Sequence, residues 1–365
     1  AYRGEEFELV LVHYYRAMNY QRLGDHQAAL VECRKANLKL EDYAQKAEYK
    51  LSYKNDAFLQ YMTGLFYEAE GEWNDAYISY KDALKGYRAY DEAFGLRVPR
   101  MLLVDLARLA SRLGYDDEVA EFVELYRLRP DELKPAPGGE IVVFVENGFV
   151  PRKRQVEYSV PIMEGEQKVA LWTVSERAVH RYRHPRVYHR GRVDYWLKVA
   201  LPEYREVNSQ VAGVRLRAGE ESAIATEVED LDAIAQRTFA QKFDTIMLRT
   251  VARNLAKYLA SKSIEKAFES DDYDKEKNKW AKEGLGEVLG ALVNLFGVAT
   301  EAADTRSWLS LPRSIRIARL PVTGGMAAPT LEFIDDRGQV VFVEPLPEVQ
   351  VGAGQKIFLN FRTFR

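Results

Sequence analysis

Apolar and small residues between positions 13 and 130 recur at helical spacing in three blocks that share one set of offsets. The first block, 13–40, places Ala17, Tyr20, Gly24, His26, Ala29, Cys33 and Ala36. The second, 52–90, places Gly64, Tyr67, Gly71, Trp73, Ala76, Tyr80 and Ala83 at the same offsets. The third, 101–130, offers Ala107, Ala110, Gly114, Asp116, Val119, Val123 and Tyr126. Each block predicts two helices joined at its glycine. Gly24, Gly71 and Gly114 sit where a residue of positive φ ends the first helix. Small residues such as Gly64 and Ala76 mark the crossing of the two helices, where only a short side chain lets the axes approach. Tyr67, Trp73 and Tyr80 fill the space between units.

This pattern resembles the tetratricopeptide repeat, most closely in the second block. The resemblance implies an N-terminal α-solenoid of helix pairs, each covering the apolar flank left by its neighbour, with a surface that receives protein partners. The turn glycines are 47 and then 43 residues apart, against the family's usual spacing of about 34. The extra residues are expected to lengthen helices or add loops around 41–49 and 86–98.

The pattern changes at 131–139, DELKPAPGG, where two prolines and two glycines break helix. Beyond it, 140–146 (EIVVFVE) is an apolar run of strand length followed by an Asn147-Gly148 turn. Further strands are predicted at 168–174, 195–201, 211–217, 222–228, 315–320, 330–334, 340–343 and 356–361. Between the two strand sets, Ile234, Phe239, Phe243, Ile246, Met247, Val251, Leu255, Tyr258, Leu259 and Ile264 recur every three or four residues. They predict one long amphipathic helix over 231–268, and a second helix is expected over 280–303. The expected class is α+β and multidomain: a helical-repeat domain at 1–133, a linker at 134–139, and an α+β domain at 140–365. Within the last, strands span 140–228, helices 229–303 and strands 313–362.

Composition adds limits. A chain of 365 residues with 47% hydrophobic and 29% charged residues has the balance of a folded globular protein. A net charge of −3 gives no global field for nucleic acid, and no specific nucleic-acid partner is expected. Cys33 is the single cysteine, so no intrachain disulfide forms, and its helical position reads as buried packing. The chain opens at Ala1, inside a helical pattern, which looks like a processed terminus.

Three segments carry candidate chemistry. Residues 177–192 (RAVHRYRHPRVYHRGR) hold Arg177, Arg181, Arg183, Arg186, Arg190 and Arg192, three histidines and no acid. Such guanidinium forks suit phosphate, headgroup or glycan carboxylate, and the plain alternative is a basic segment paired with Glu203, Glu220 or Glu221. His180, His184 and His189 lack a carboxylate or thiol close in sequence, and Pro185 breaks the helix that a four-residue ligand spacing needs, so no metal site is expected. Asp304, Arg306 and Trp308, in DTRSW, read as a structural keystone in which Asp304 accepts backbone donors or pairs with Arg306 and Trp308 is buried beneath the sheet. No histidine is placed to activate Ser307. Gly286 and Gly290, four apart on an apolar stretch, read as packing glycines, the alternative being a partner-binding or membrane-surface role. No catalytic residue, cofactor site or metal site is assigned.

Two further stretches carry a resemblance over most of the chain. One is Tyr2-Arg3-Gly4-Glu5-Glu6-Phe7-Glu8, leading into His13-Tyr14-Tyr15 and Arg34-Lys35-Ala36-Asn37. The other is Ala303-Asp304-Thr305-Arg306-Ser307-Trp308 with Leu311-Pro312. Together they look like a family of bacterial envelope lipoproteins with an N-terminal tetratricopeptide region. The resemblance implies a periplasmic or surface location, associated with the outer membrane through a lipidated cysteine upstream of Ala1; the alternative is the cytoplasm. The expected function is a non-enzymatic scaffold that joins envelope proteins or copies of itself. One alternative is a module for an anionic ligand or glycan centred on 177–192, and another is an envelope hydrolase.

Overall fold

The computed structural model describes residues 4–46, 53, 55–134, 138–163, 193–269 and 302–364. The fold is α+β. Six helices come first: α1 (Glu6–Arg22), α2 (His26–Lys46), α3 (Ala57–Ala69), α4 (Trp73–Phe94), α5 (Arg100–Leu113) and α6 (Asp116–Tyr126). Strands β1 (Gly139–Asn147), β2 (Arg152–Met163), β3 (Val193–Arg205), β4 (Gly213–Ala218), β5 (Glu221–Ile224) and β6 (Thr226–Asp230) follow, then the long α7 (Leu231–Glu269). The chain closes with β7 (Ser314–Val322), β8 (Gly325–Ala327), β9 (Thr330–Ile334), β10 (Val340–Pro345), β11 (Val349–Val351) and β12 (Lys356–Arg362).

The helices pair as α1–α2, α3–α4 and α5–α6, and each pair touches the next. The predicted turn glycines do what the backbone needs of them: φ is 76° at Gly24, 78° at Gly71 and 78° at Gly114, a region that costs a Cβ-bearing residue strain. At the start of α1 the Glu5 amide donates to the Glu8 carboxylate (2.8 Å), and at the start of α3 Asp56 accepts from the Leu59 amide (2.7 Å). The long repeat spacing is taken up by the second helices, 21 residues in α2 and 22 in α4, and by the stretch of chain between the end of α2 at Lys46 and the start of α3 at Ala57. Gly64 is where α3 meets α4: a Cβ there would stand 2.3 Å from ring carbons of Tyr80.

Two compact units divide the chain. The first contains Ala1–Arg152, Glu206–Gln241 and Ser307–Arg365, so the six helices and most of the strands share one body. The boundary expected at 134–139 marks the change from helix to strand, but the compact unit continues across it. Within this unit one sheet has the order β12-β1-β7-β6, with β1 parallel to β12 and antiparallel to β7. A second sheet has the order β10-β9-β4-β5, and β11 pairs with β8. Ile141, Val143 and Val145 of β1, with Ala318 and Leu320 of β7, pack on Val214 and Leu216 of β4 and on Leu331 and Phe333 of β9. The alternate residues of the first sheet face the helices. Phe144 of β1 meets Phe58 of α3, and Phe358 of β12 meets Phe66 of α3 (ring centroids 6.1 and 5.0 Å apart). Helices, first sheet and second sheet therefore form three layers, and β1 is covered on both faces, which is why its sequence reads as a near-continuous apolar run.

The second unit contains Lys153–Arg205 and Lys242–Arg306. In it β2 pairs with β3, Arg154 pairs with Glu203 (2.8 Å), and the Asn254 side chain on α7 donates to the Lys198 carbonyl (3.2 Å). The strand predicted at 168–174, most of the helix predicted at 280–303, and Gly286 and Gly290 lie outside the described residues; Ala302 and Ala303 are not helical. Among the described residues, no helix is long and apolar enough to cross a membrane.

Candidate functional site

The first helix of each pair faces the sheet, and the sheet carries charge on that face. In β1 the helix-facing register is Glu140, Val142, Phe144 and Glu146, an aromatic centre with a carboxylate at either end. β12 places Lys356 beside Glu140 and Arg362 beside Glu146, and β7 places Arg319 beside Val142. Two polar clusters result.

At one end Arg319 donates through Nε and Nη2 to the two oxygens of Glu140 (2.7 and 2.9 Å). It also pairs with Asp105 of α5 and donates to the Tyr61 hydroxyl of α3 (2.9 Å). Asp105 in turn accepts from Tyr61 (2.9 Å) and Arg108 (3.0 Å). Arg108 pairs with Glu68 of α3, which accepts from Tyr80 of α4 (2.7 Å) and lies 3.4 Å from Lys356. Lys356 closes the ring on Glu140 (2.6 Å). Three acids and three bases balance in charge across α3, α5, β1, β7 and β12. Burial works against the charged form of Glu140 and Asp105, yet Arg319 and their other cationic neighbours hold both carboxyls below the usual carboxylate range.

At the other end Tyr14 and Tyr15 of α1 donate to Glu146 (3.1 and 2.7 Å), with Arg362 3.8 Å away. Burial pushes this carboxyl up. Trp308 is half-buried, its ring 5.8 Å from that of Tyr15, and its amide donates to Glu8 (2.7 Å). It therefore packs on α1 rather than beneath the sheet. Asp304 accepts a bidentate pair from Arg306 (2.8 Å for each bond) at an exposed position, as the sequence suggests for these two residues.

The predicted packing residues Ala17, Ala29, Ala36, Ala76, Tyr80, Ala83 and Ala107 are buried. Tyr20, Tyr67 and Trp73 are partly exposed, and the Arg112 guanidinium lies 3.8 Å over the Trp73 ring. Cys33 is buried, and burial pushes its thiol up to about 12. Arg177, Arg181, Arg183, Arg186, Arg190 and Arg192, with the three histidines among them, lie outside the described residues. Among the described residues no group of three His, Cys, Asp or Glu could hold a metal ion.

Sequence reasoning missed the six-charge ring, because its members are scattered from Glu68 to Lys356. A signal was present in 140–146: both glutamates fall on the same alternation as Phe144, so a strand buried on both faces must bury carboxylates. Along α1, α3 and α5 the helix pairs are covered by the protein's own sheet. The second helices instead present apolar side chains to solvent: Val31 (40% exposed) and Leu38 (66%) on α2, Ile78 (50%) on α4 and Leu125 (58%) on α6.

No family model, no curated protein and no solved structure matches this chain.

Proposed function

We propose that this protein is a non-enzymatic adaptor of the bacterial cell envelope, and that its three helix pairs are an α-solenoid of the tetratricopeptide kind. Its partner is another envelope protein or a second copy of the chain. The observation that carries this reading is the repeated division of labour within the pairs: first helices turn to the sheet, and second helices leave Val31, Leu38, Ile78 and Leu125 exposed. Val31 and Ile78 stand seven residues after Gly24 and Gly71, at equivalent places on the first two repeats, and apolar side chains exposed along the second helices suit a partner that lies along the array. The sheet then works as a stiff keel that fixes the order and spacing of the pairs. The envelope location and an upstream lipid anchor rest on the two sequence stretches at 2–37 and 303–312.

The test is cross-linking in intact envelopes alongside sedimentation of the purified chain. Association is expected to fall by tenfold or more in a Val31→Glu, Ile78→Glu, Leu125→Glu variant whose circular dichroism is unchanged, since each lost apolar contact is worth about 1 kcal/mol or more. Unchanged association in the folded variant removes the second helices as the contact surface.

A further inference from the structure

β6 carries a bulge against β7: its register steps from Glu227 opposite Arg316 to Glu229 opposite Ile315. The extra residue turns two consecutive side chains inward, and both Val228 and Glu229 are fully buried. Glu229 is the last residue but one of the strand, just ahead of α7, and neither of its carboxyl oxygens has a hydrogen-bond partner. The second carboxyl of this region is Asp56, also buried, at the start of α3; it accepts from the Tyr53 hydroxyl (2.7 Å) and the Leu59 amide (2.7 Å).

Three buried phenol groups, Tyr53 among them, complete the surroundings. Tyr53 precedes α3, while Tyr87 and Tyr90 come from α4. Tyr87 donates to the Val228 carbonyl (2.9 Å), and the Tyr90 hydroxyl closes no hydrogen bond of good geometry. The titratable groups that act on the two carboxyls are each other, Asp230 of β6, these tyrosines and, beside Asp56, Cys33 of α2. No cation among the described residues is paired with either one. A buried, unpaired carboxylate beside a second one is far costlier than the neutral acid. The neutral acid also carries a hydrogen of its own, which the carboxylate lacks, and so can act as donor as well as acceptor in this site.

We propose that Glu229 is held protonated and that the Asp56–Glu229 pair is a proton-operated latch between the start of α3 and the corner from β6 into α7. With the proton in place the corner stays shut. Loss of the proton puts two like charges in a dry site and loosens the α3 cap and the bulged end of β6 together. The titration agrees in direction: burial, then Asp56 and Asp230, push Glu229 well above the carboxylate range, and burial pushes Asp56 up to about 6. A folded-state pKa above the unfolded value stabilises at low pH. The gain is complete below the ordinary carboxyl value of about 4.3 and is lost as pH rises through the raised folded value.

Amide hydrogen exchange across pH 5–9 tests the latch in the full chain. Protection factors at the start of α3 and in β6 are expected to fall with rising pH, by up to about tenfold per unit for one linked proton, while those of β4 and β9 stay level. In Glu229→Gln, a neutral stand-in for the acid, the fall above about pH 6 is expected to vanish, leaving only the part below it that belongs to Asp56. Asp56→Asn, which keeps a capping acceptor, serves if that variant does not fold; there the fall should shrink and shift to lower pH. An unchanged pH dependence in either folded variant overturns the proposal. So does restoration of wild-type protection at pH 8 by added calcium or sodium, since the site would then take a metal cation in place of the proton.

Discussion

A Cβ on Gly64 would stand 2.3 Å from ring carbons Cδ1 and Cε1 of Tyr80. That ring is fully buried and its hydroxyl is tied to Glu68, so it cannot swing aside. Alanine normally gains about 1 kcal/mol over glycine inside a helix, but forcing an atom into a filled crossing costs about 1–3 kcal/mol. With an overlap this deep the cost falls in the upper part of that range, about 2–3 kcal/mol, so Gly64→Ala is expected to destabilise the protein by about 1–2 kcal/mol in urea unfolding. An equal or higher stability would mean that α3 and α4 can part without loss, against the close approach seen here. Gly24, by contrast, meets nothing within 4 Å, and its requirement is the positive φ alone. The two glycines share a repeat pattern for different physical reasons, one steric and one torsional.

At the scale of elements, the ring of Glu68, Asp105, Arg108, Glu140, Arg319 and Lys356 fastens α3 and α5 to β1, β7 and β12. Its carboxyls work in the opposite sense to Glu229. Glu140 and Asp105 have depressed folded pKa values, so their contribution is full above the unfolded carboxyl value, about 4, and is lost as pH falls through the folded values. Stability is expected to drop steadily as pH is lowered below about 4.5. Glu140→Gln should be less stable at neutral pH and show a shallower acid limb, as measured by urea midpoints from pH 2 to 7. A limb of unchanged slope would take Glu140 out of the linkage.

Elements were legible in the sequence where a period or a turn residue imposed them. The helix pairs, β1, β4, β7, β9, β10, β12 and α7 all fall on predicted stretches. The strand predicted at 222–228 is instead two, β5 and β6, divided at Ala225, whose amide donates to the Val214 carbonyl. β2 escaped notice because RKRQVEYSVPIM mixes charge and proline, and three-residue β8 and β11 are too short to show alternation. Both candidate sites were illegible for a common reason. Glu229 is buried by a bulge, and the six-charge ring is assembled from distant strands and helices, so apart from the two glutamates of 140–146 neither leaves a local pattern.

For the first compact unit as a whole, the consequence is that helix pairs and sheet stand or fall together. Repeat arrays ordinarily keep their stability in nearest-neighbour contacts and tolerate separation from flanking domains. Here Phe58, Tyr61 and Phe66 of α3 lie against Phe144, Arg319 and Phe358 of the sheet, so α3 loses its cover if β1 leaves. Native-state hydrogen exchange in increasing urea measures this directly. The slowest amides of α3 and of β1 are expected to open with the same free energy and the same urea dependence, as one cooperative unit. Amides of α3 that stay protected in urea concentrations where those of β1 have already opened would contradict the account, because the helix pairs would then hold together without the sheet.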